Sequence, residues 1–200
     1  PQIINVADNV TNGAYADTGS IANGGVSNDP TLTLTGVAAA GITVNIYDGS
    51  TKLDSVTSNG TTGAWEFTTS TLASGAHSFS VTTTTTSGVE SAASDPWDVT
   101  IDTDAPDKPG AITVTDDIGL RTGSLAVIGT TTDDNNLTLS GTVEAGAKVY
   151  IYDNGSATEM AVVEADQATG AWVYQTGVLL DGSHSFRVMA SDQAGNESAL

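Results

Sequence analysis

Along much of the chain, apolar and polar residues alternate one for one. Leu32 and Leu34 face one way while Thr31, Thr33 and Thr35 face the other, and Val44/Ile46 and Phe79/Val81 repeat the pattern. Alternation with period two, carried by β-branched and aromatic residues, predicts half-buried strands. It places them near residues 3–6, 31–35, 42–47, 52–57, 64–69, 77–84 and 97–101. Helical spacing is hard to find in a chain dominated by Thr, Gly, Ser, Val and Asn. Asp48-Gly49 and Asn154-Gly155 read as tight hairpin turns.

The second half of the chain repeats the first. "DPTLTLTGVAAAGITVNIYDG" (29–49) aligns with "DNNLTLSGTVEAGAKVYIYDN" (134–154), and "TGAWEFTTSTLASGAHSFSV" (62–81) with "TGAWVYQTGVLLDGSHSFRV" (169–188). The offset grows from 105 to 107 through two extra residues around Ser156–Met160. A repeat of this length is the size of one immunoglobulin-like sandwich. The expected fold is all-β: two tandem Ig-like antiparallel β-sandwiches of Greek-key type, set end to end. Residues 1–103 form the first, 104–108 a short acidic, proline-containing linker, and 109–200 the second. Leu200 aligns with Ala93, so the counterpart of "DPWDVTID" (95–102) is expected to be missing, leaving a bare sheet edge unless further chain supplies it. A chain that starts at Pro1 reads as a segment of something longer.

Charge narrows the partners. Twenty-four acidic residues against five basic ones give a formal charge of −19. Nucleic acid and anionic membranes reward clustered Lys and Arg, so both are disfavoured, whereas cations are permitted. There is no cysteine, so stability must come from core packing, from metal, or from both. No apolar run approaches the ~18 residues that would span a membrane. The expected partners are neighbouring repeats of the same chain, with no nucleic acid, no membrane insertion and a monomeric state.

The pieces "TLTG…AGA.V.IYD", "TGAW", "DGSHSF.V.ASDQAGNES" and the "DTDAP" joint recur in order across nearly all 200 residues. In this the chain resembles the bacterial Ig-like repeats of giant, calcium-dependent, type I-secreted adhesins of Gram-negative bacteria, the biofilm-associated surface proteins. The resemblance implies tandem sandwiches on the cell surface that project a distal binding region, with Ca²⁺ held where successive domains meet. The first repeat departs from the pattern: Thr85 and Val89 stand where the second has Asp192 and Asn196. A metal site using that loop is expected in the second repeat and not in the first.

Acidic residues are suitably placed for a metal. Asp102 and Asp104 lie in the linker "TIDTDAPDKPG", Asp116 and Asp117 follow the first short strand of the second repeat, and Asp133 and Asp134 precede its "LTLSG" strand. Asp8, Asp17 and Asp29 occupy similar places in the first repeat. Ca²⁺ takes six to eight oxygens from carboxylates, carbonyls and water, and loops at a sandwich end can supply them. If Asp102, Asp104, Asp116 and Asp117 converge, two unit charges ~4 Å apart repel by about 4 kcal/mol at an effective dielectric near 20, a term that a bound cation reverses. The plain alternative is that Asp is frequent in turns because it caps its own backbone. The linker is no EF-hand loop, since Asp107 stands where that loop needs glycine.

Other candidates carry less chemistry. His77 and His184 occupy equivalent positions in separate repeats, which suits packing and cannot make one catalytic site. Trp65 and Trp172 are equivalent core candidates beside a turn, and Trp97 is expected near the joint. Asn-x-Ser/Thr triplets at Asn9, Asn59, Asn136, Asn154 and Asn196 are what a Ser/Thr/Asn-rich chain produces by chance. No nucleophile–base order, zinc spacing or phosphate loop is present, so no enzyme is expected. The runner-up function is a glycan- or ice-binding sandwich, suggested by the "TTTTT" run at 82–86.

Overall fold

A computed structural model describes residues 1–10, 19–120, 122–126 and 129–200. The chain divides into two compact units, Pro1–Asp104 and Ala105–Leu200. The boundary falls inside the segment read as the linker.

Unit 1 contains β1 (Gln2–Asp8), β2 (Gly19–Ile21), β3 (Gly25–Ser27), β4 (Thr33–Val37), β5 (Thr43–Asp48), β6 (Thr51–Thr57), β7 (Ala64–Thr68), β8 (Gly75–Thr84) and β9 (Trp97–Ile101). One sheet runs β2-β1-β4-β7 and the other β3-β9-β8-β5-β6. All pairings are antiparallel except β3 with β9. The alternating residues bury one face of each sheet in a shared core of Val6, Leu32, Leu34, Val44, Ile46, Trp65, Phe79, Val81, Val99 and Ile101. Every strand the alternation predicts is present. The three-residue β2 and β3 are additional, too short and glycine-rich to show a period.

Unit 2 contains β10 (Thr113–Asp116), β11 (Gly123–Ser124), β12 (Thr138–Thr142), β13 (Lys148–Asp153), β14 (Ala161–Glu164), β15 (Ala171–Gln175) and β16 (Phe186–Ser191). Its sheets run β11-β10-β12-β15 and β14-β13-β16. Counterparts of β3 and β9 are absent among the described residues, so β16 pairs with β13 alone. The core is correspondingly smaller, built on Leu139, Val149, Ile151, Ala165, Trp172 and Val188. Among the described residues no helix is long and apolar enough to cross a membrane.

Two details correct the sequence reading. Asn154 and Gly155 both adopt positive φ (51° and 72°), as a tight turn requires, yet the next strand begins only at Ala161. The extra residues make a longer loop there, whereas in unit 1 Gly49-Ser50 alone connects β5 to β6. Trp97 opens β9 opposite Phe79 and packs on the core of unit 1, four residues before the strand end from which the joint leaves.

The repeated "TGAW" follows from backbone geometry. Gly63 and Gly170 adopt φ of 73° and 68°, and a Cβ at either would collide with the carbonyl oxygen of Ala38 or Val143. Only glycine meets both demands. The Trp that follows enters the core, as expected of Trp65 and Trp172.

Candidate metal centre

The registers sort the acidic residues by sandwich end. In unit 1, β1 starts opposite the end of β4 and finishes at Asp8, beside the start of β4. The parallel pairing of β3 and β9 sets Ser27 against Ile101, and the Asp102 N–H donates to the Ser27 carbonyl at 2.9 Å. Asp8, Ser27, Asp29 and Asp102 therefore share the end from which the chain leaves for unit 2.

Three of them interlock. Ser27 Oγ donates to Asp8 Oδ2 at 2.5 Å and accepts the Asp29 N–H at 3.1 Å. The other Asp8 oxygen takes the Val10 N–H at 2.9 Å. Asp29 accepts from Thr31 N–H (2.7 Å), Thr31 Oγ1 (2.8 Å) and Asn9 N–H (3.1 Å). Both carboxylates are buried, with relative exposure of 5% and 0%. Asn28 between them in sequence is also buried, and neither its Oδ1 nor its Nδ2 has a hydrogen-bond partner.

Unit 2 builds the same box. Thr132 Oγ1 donates to Asp116 Oδ2 at 2.5 Å and accepts the Asp134 N–H at 3.0 Å. Ile118 N–H reaches Asp116 Oδ1 at 3.0 Å, and Asp134 takes the N–H groups of Asn136 (2.7 Å) and Asp117 (3.2 Å). Asp116 and Asp134 are buried. Thr115 pairs with Thr138, so this box sits where β10 ends and β12 begins. That is the end of unit 2 away from residues 105–112.

Within each unit the acidic residues group separately. Asp102 meets the box of its own domain, Asp8–Ser27–Asp29, while Asp116 belongs with Asp134. The opposite end of unit 2 carries the loop after β16: Ser191 pairs with Lys148, where β13 starts. Asp192 and Asn196 lie there and bind each other, Asn196 N–H and Nδ2 both reaching the Asp192 carboxylate at 2.9 Å.

The remaining candidates are peripheral. Asp104 is exposed and donates its N–H to Asp102 Oδ1 at 3.1 Å. Asp117 and Asp133 are exposed, the latter lying so close to Gly119 that a Cβ there would sit 2.8 Å from its Oδ1. Asp17 lies outside the described residues. Among the described residues no three Asp, Glu or His side chains gather as a metal-binding group. The polar side chains at this end of unit 1 are the buried carboxylates of Asp8 and Asp29, the unpartnered amide of Asn28 and the half-buried Asp102. Carboxylate and amide oxygens fit a hard cation such as Ca²⁺, and carbonyls and water would have to complete the shell.

Ser27 and Thr132 were not read from the sequence. Their signal is Ser-Asn-Asp at 27–29 against Thr-Asp-Asp at 132–134, two residues upstream of the repeat as aligned. The Thr run 82–86 forms no open array: Thr82 is buried and donates to Glu90, Thr84 accepts from Asn45 Nδ2 at 2.8 Å, and Thr85 Oγ1 accepts the Val89 N–H at 3.0 Å.

Comparison with known proteins follows the division into units. Residues 4–103 and 112–200 each match the family described as "Bacterial Ig-like domain". Among solved structures, the fibronectin(III)-like modules of Clostridium thermocellum CbhA superpose with a TM-score of 0.50 at 15% identity, covering 88% of this chain and 83% of theirs. The BSP domain of a biofilm-associated protein covers 87% of this chain but 27% of its own length, at 16% identity and a TM-score of 0.30. The ligand-binding domain of human OSCAR gives 14% identity over 87% of this chain and 89% of its own, with a TM-score of 0.35. No curated protein sequence matches significantly.

Proposed function

The chain belongs to the bacterial Ig-like domain family, and from that premise we propose that it is a structural extender of a large bacterial surface adhesin. Its two sandwiches act as spacers that carry a distal binding region away from the cell, and Ca²⁺ at the acidic end of unit 1 stiffens the passage to the next domain. The protein performs no catalysis in this role.

The observation that carries the calcium part is the double engagement of Ser27. Its carbonyl accepts the backbone N–H of the first linker aspartate, Asp102, while its hydroxyl donates to the buried Asp8 carboxylate and accepts the backbone N–H of Asp29. Negative charge thus gathers where the chain leaves the domain, and repulsion between the carboxylates favours the bound cation. Asp8, Asp29 and Asp102 would hold the ion with Asn28 Oδ1 and backbone carbonyls. Ca²⁺ supplies charge neutralisation and multiple oxygen bonds; Pro106 and Pro109 add fixed φ angles to the segment that follows.

Small-angle scattering on the 200-residue chain tests the proposal, with millimolar Ca²⁺ and then with chelator. The maximum dimension and rigidity are expected to fall when calcium is removed. Profiles that superpose in both conditions sink the stiffening role.

A further inference from the structure

The two histidines, equivalent in the repeat, make the same set of contacts in each unit. His77 Nδ1 lies 2.6 Å from Asp48 Oδ2, and its Nε2 lies 2.8 Å from the carbonyl oxygen of Ala73. The other Asp48 oxygen accepts the Ser78 N–H at 2.9 Å. The ring lies parallel to Phe79, with 6.0 Å between centroids and 7° between planes. In unit 2, His184 repeats this with Asp153 (2.6 Å), the Leu180 carbonyl (2.9 Å) and Phe186 (6.1 Å, 10°), while Ser185 N–H reaches Asp153 Oδ1 at 3.0 Å.

Protonation follows from the identity of the acceptors. A carbonyl oxygen has no proton to give, so Nε2 must donate. A carboxylate that already accepts a backbone N–H at its other oxygen is an acceptor too, so Nδ1 must donate. An imidazole that donates from both nitrogens is an imidazolium. In the neutral ring one nitrogen turns a lone pair towards an oxygen lone pair, and one of the two contacts fails.

Those contacts join parts of the fold distant in sequence. Asp48 and Asp153 end β5 and β13, while Ala73 and Leu180 belong to the loops that lead towards β8 and β16. The preceding residue of each loop is tied by Leu72 N–H to the Pro30 carbonyl (2.8 Å) or Leu179 N–H to the Asn135 carbonyl (2.7 Å). Pro30 and Asn135 directly follow Asp29 and Asp134. Each histidine therefore fastens to the second sheet a loop that is already fastened beside the carboxylate box of the first.

We propose that His77 and His184 are proton-operated latches, closed while the ring carries both protons and released when it loses one. Burial opposes the charge on His77, but the Ala73 carbonyl and the Asp48 carboxylate outweigh it and raise the pKa above the ordinary 6.5. For His184 the Leu180 carbonyl and Asp153 raise it against a smaller burial effect. Other charged groups on neighbouring elements are already engaged or adjacent: Asp98 on β9 accepts from Ser78 Oγ at 2.6 Å, and Lys52 on β6 donates to Asn45 Oδ1 at 2.8 Å. In unit 2, Asp181 lies in the latched loop and Arg187 pairs in register with Tyr152. A pKa raised by folding gives stability that is complete below the unfolded value and is lost as pH rises through the folded one. The latches therefore hold fully below 6.5 and open as pH rises through the raised folded value.

The test is an NMR titration of both imidazoles from pH 5.5 to 9 at constant calcium, with melting curves of the whole chain alongside. Both rings are expected to be doubly protonated at pH 6 and to titrate above 6.5, and the Ser78 and Ser185 amides are expected to lose exchange protection beyond that pKa, after correction for intrinsic exchange. The melting midpoint is expected to fall further between pH 6 and 8.5 in the wild type than in H77Q/H184Q. Should that variant not fold, D48N/D153N and the wild-type titration decide, since D48N/D153N should bring both rings back towards 6.5. Rings that titrate at or below 6.5, or a folded variant with the wild-type pH dependence, overturn the proposal.

Discussion

Trp65 packs directly against Gly36: a Cβ built on that glycine would come 2.7 Å from Trp65 Cε2, closer still to Cζ2, and into the carbonyl oxygen of Gln2. Gly141 and Trp172 repeat the relationship less tightly, with the nearest ring atoms at 3.0 Å. Bare backbone at this point lets the indole reach the core. Gly36→Ala is expected to cost about 1–3 kcal/mol, in the range of overpacked cores. Gly141→Ala should cost less, because a small shift of the ring relieves it. Thermal or urea unfolding of the two variants checks the order as well as the size.

The hydroxyl of Ser27 is a second point of sensitivity. Ser27→Ala leaves the Asp8 carboxylate short of a buried donor and the Asp29 N–H without its acceptor. An unmatched buried polar group costs about 1–3 kcal/mol, more when charged. Ser27→Thr, which imitates Thr132 of the other box, should recover most of the loss. Equal destabilisation by Ala and Thr would mean that side-chain volume, rather than the hydroxyl, sets the effect.

Glu90 gives unit 1 an acid-sensitive contact. Thr82 Oγ1 and Tyr47 OH donate to its Oε1, the latter at 2.7 Å, and Asn45 Nδ2 does so at 3.3 Å. These bonds, that of Thr82 first, hold the carboxyl below its ordinary 4.5. A pKa depressed by folding gives stability that is present above the unfolded value and is lost as pH falls through the folded one. Glu90→Gln should therefore lower the melting temperature in the neutral range and flatten part of its decline below pH 4.5. A parallel decline in both proteins would argue against the assignment.

Much of the fold was legible because alternation survives in individual strands. Leu32/Leu34, Val44/Ile46 and Phe79/Val81 all point into one core, and the strands follow their phase. Gly25–Ser27 carries no such phase, so β3 was invisible, and with it the parallel pairing that brings Ser27 to Ile101 and Asp102. The aspartates could be recognised as candidates from their loops, but not their grouping. That grouping depends on which side chains share hydrogen-bond partners, Ser27 between Asp8 and Asp29 and Thr132 between Asp116 and Asp134, which local sequence does not record. The partner of His77 was hidden for a related reason: Asp48 lies 29 residues earlier and read only as a turn residue.

The grouping within unit 1 decides which substitutions report on calcium there. For extracellular sites with Kd of roughly 10⁻⁴–10⁻³ M, calcium at about 10 mM should stabilise the folded state by ~1–3 kcal/mol. In a domain of this size that raises the melting temperature by several degrees. Asp102→Ala and Asp29→Asn should each abolish this gain in unit 1. Asp117→Ala, in an exposed residue of the other unit, should leave it intact. Melting curves at several calcium concentrations separate the effect from intrinsic destabilisation, because a lost ligand removes the calcium dependence while a lost structural contact shifts every curve equally. If Asp117→Ala erased the calcium response of unit 1 and Asp102→Ala did not, the ion would have to be assigned away from Ser27.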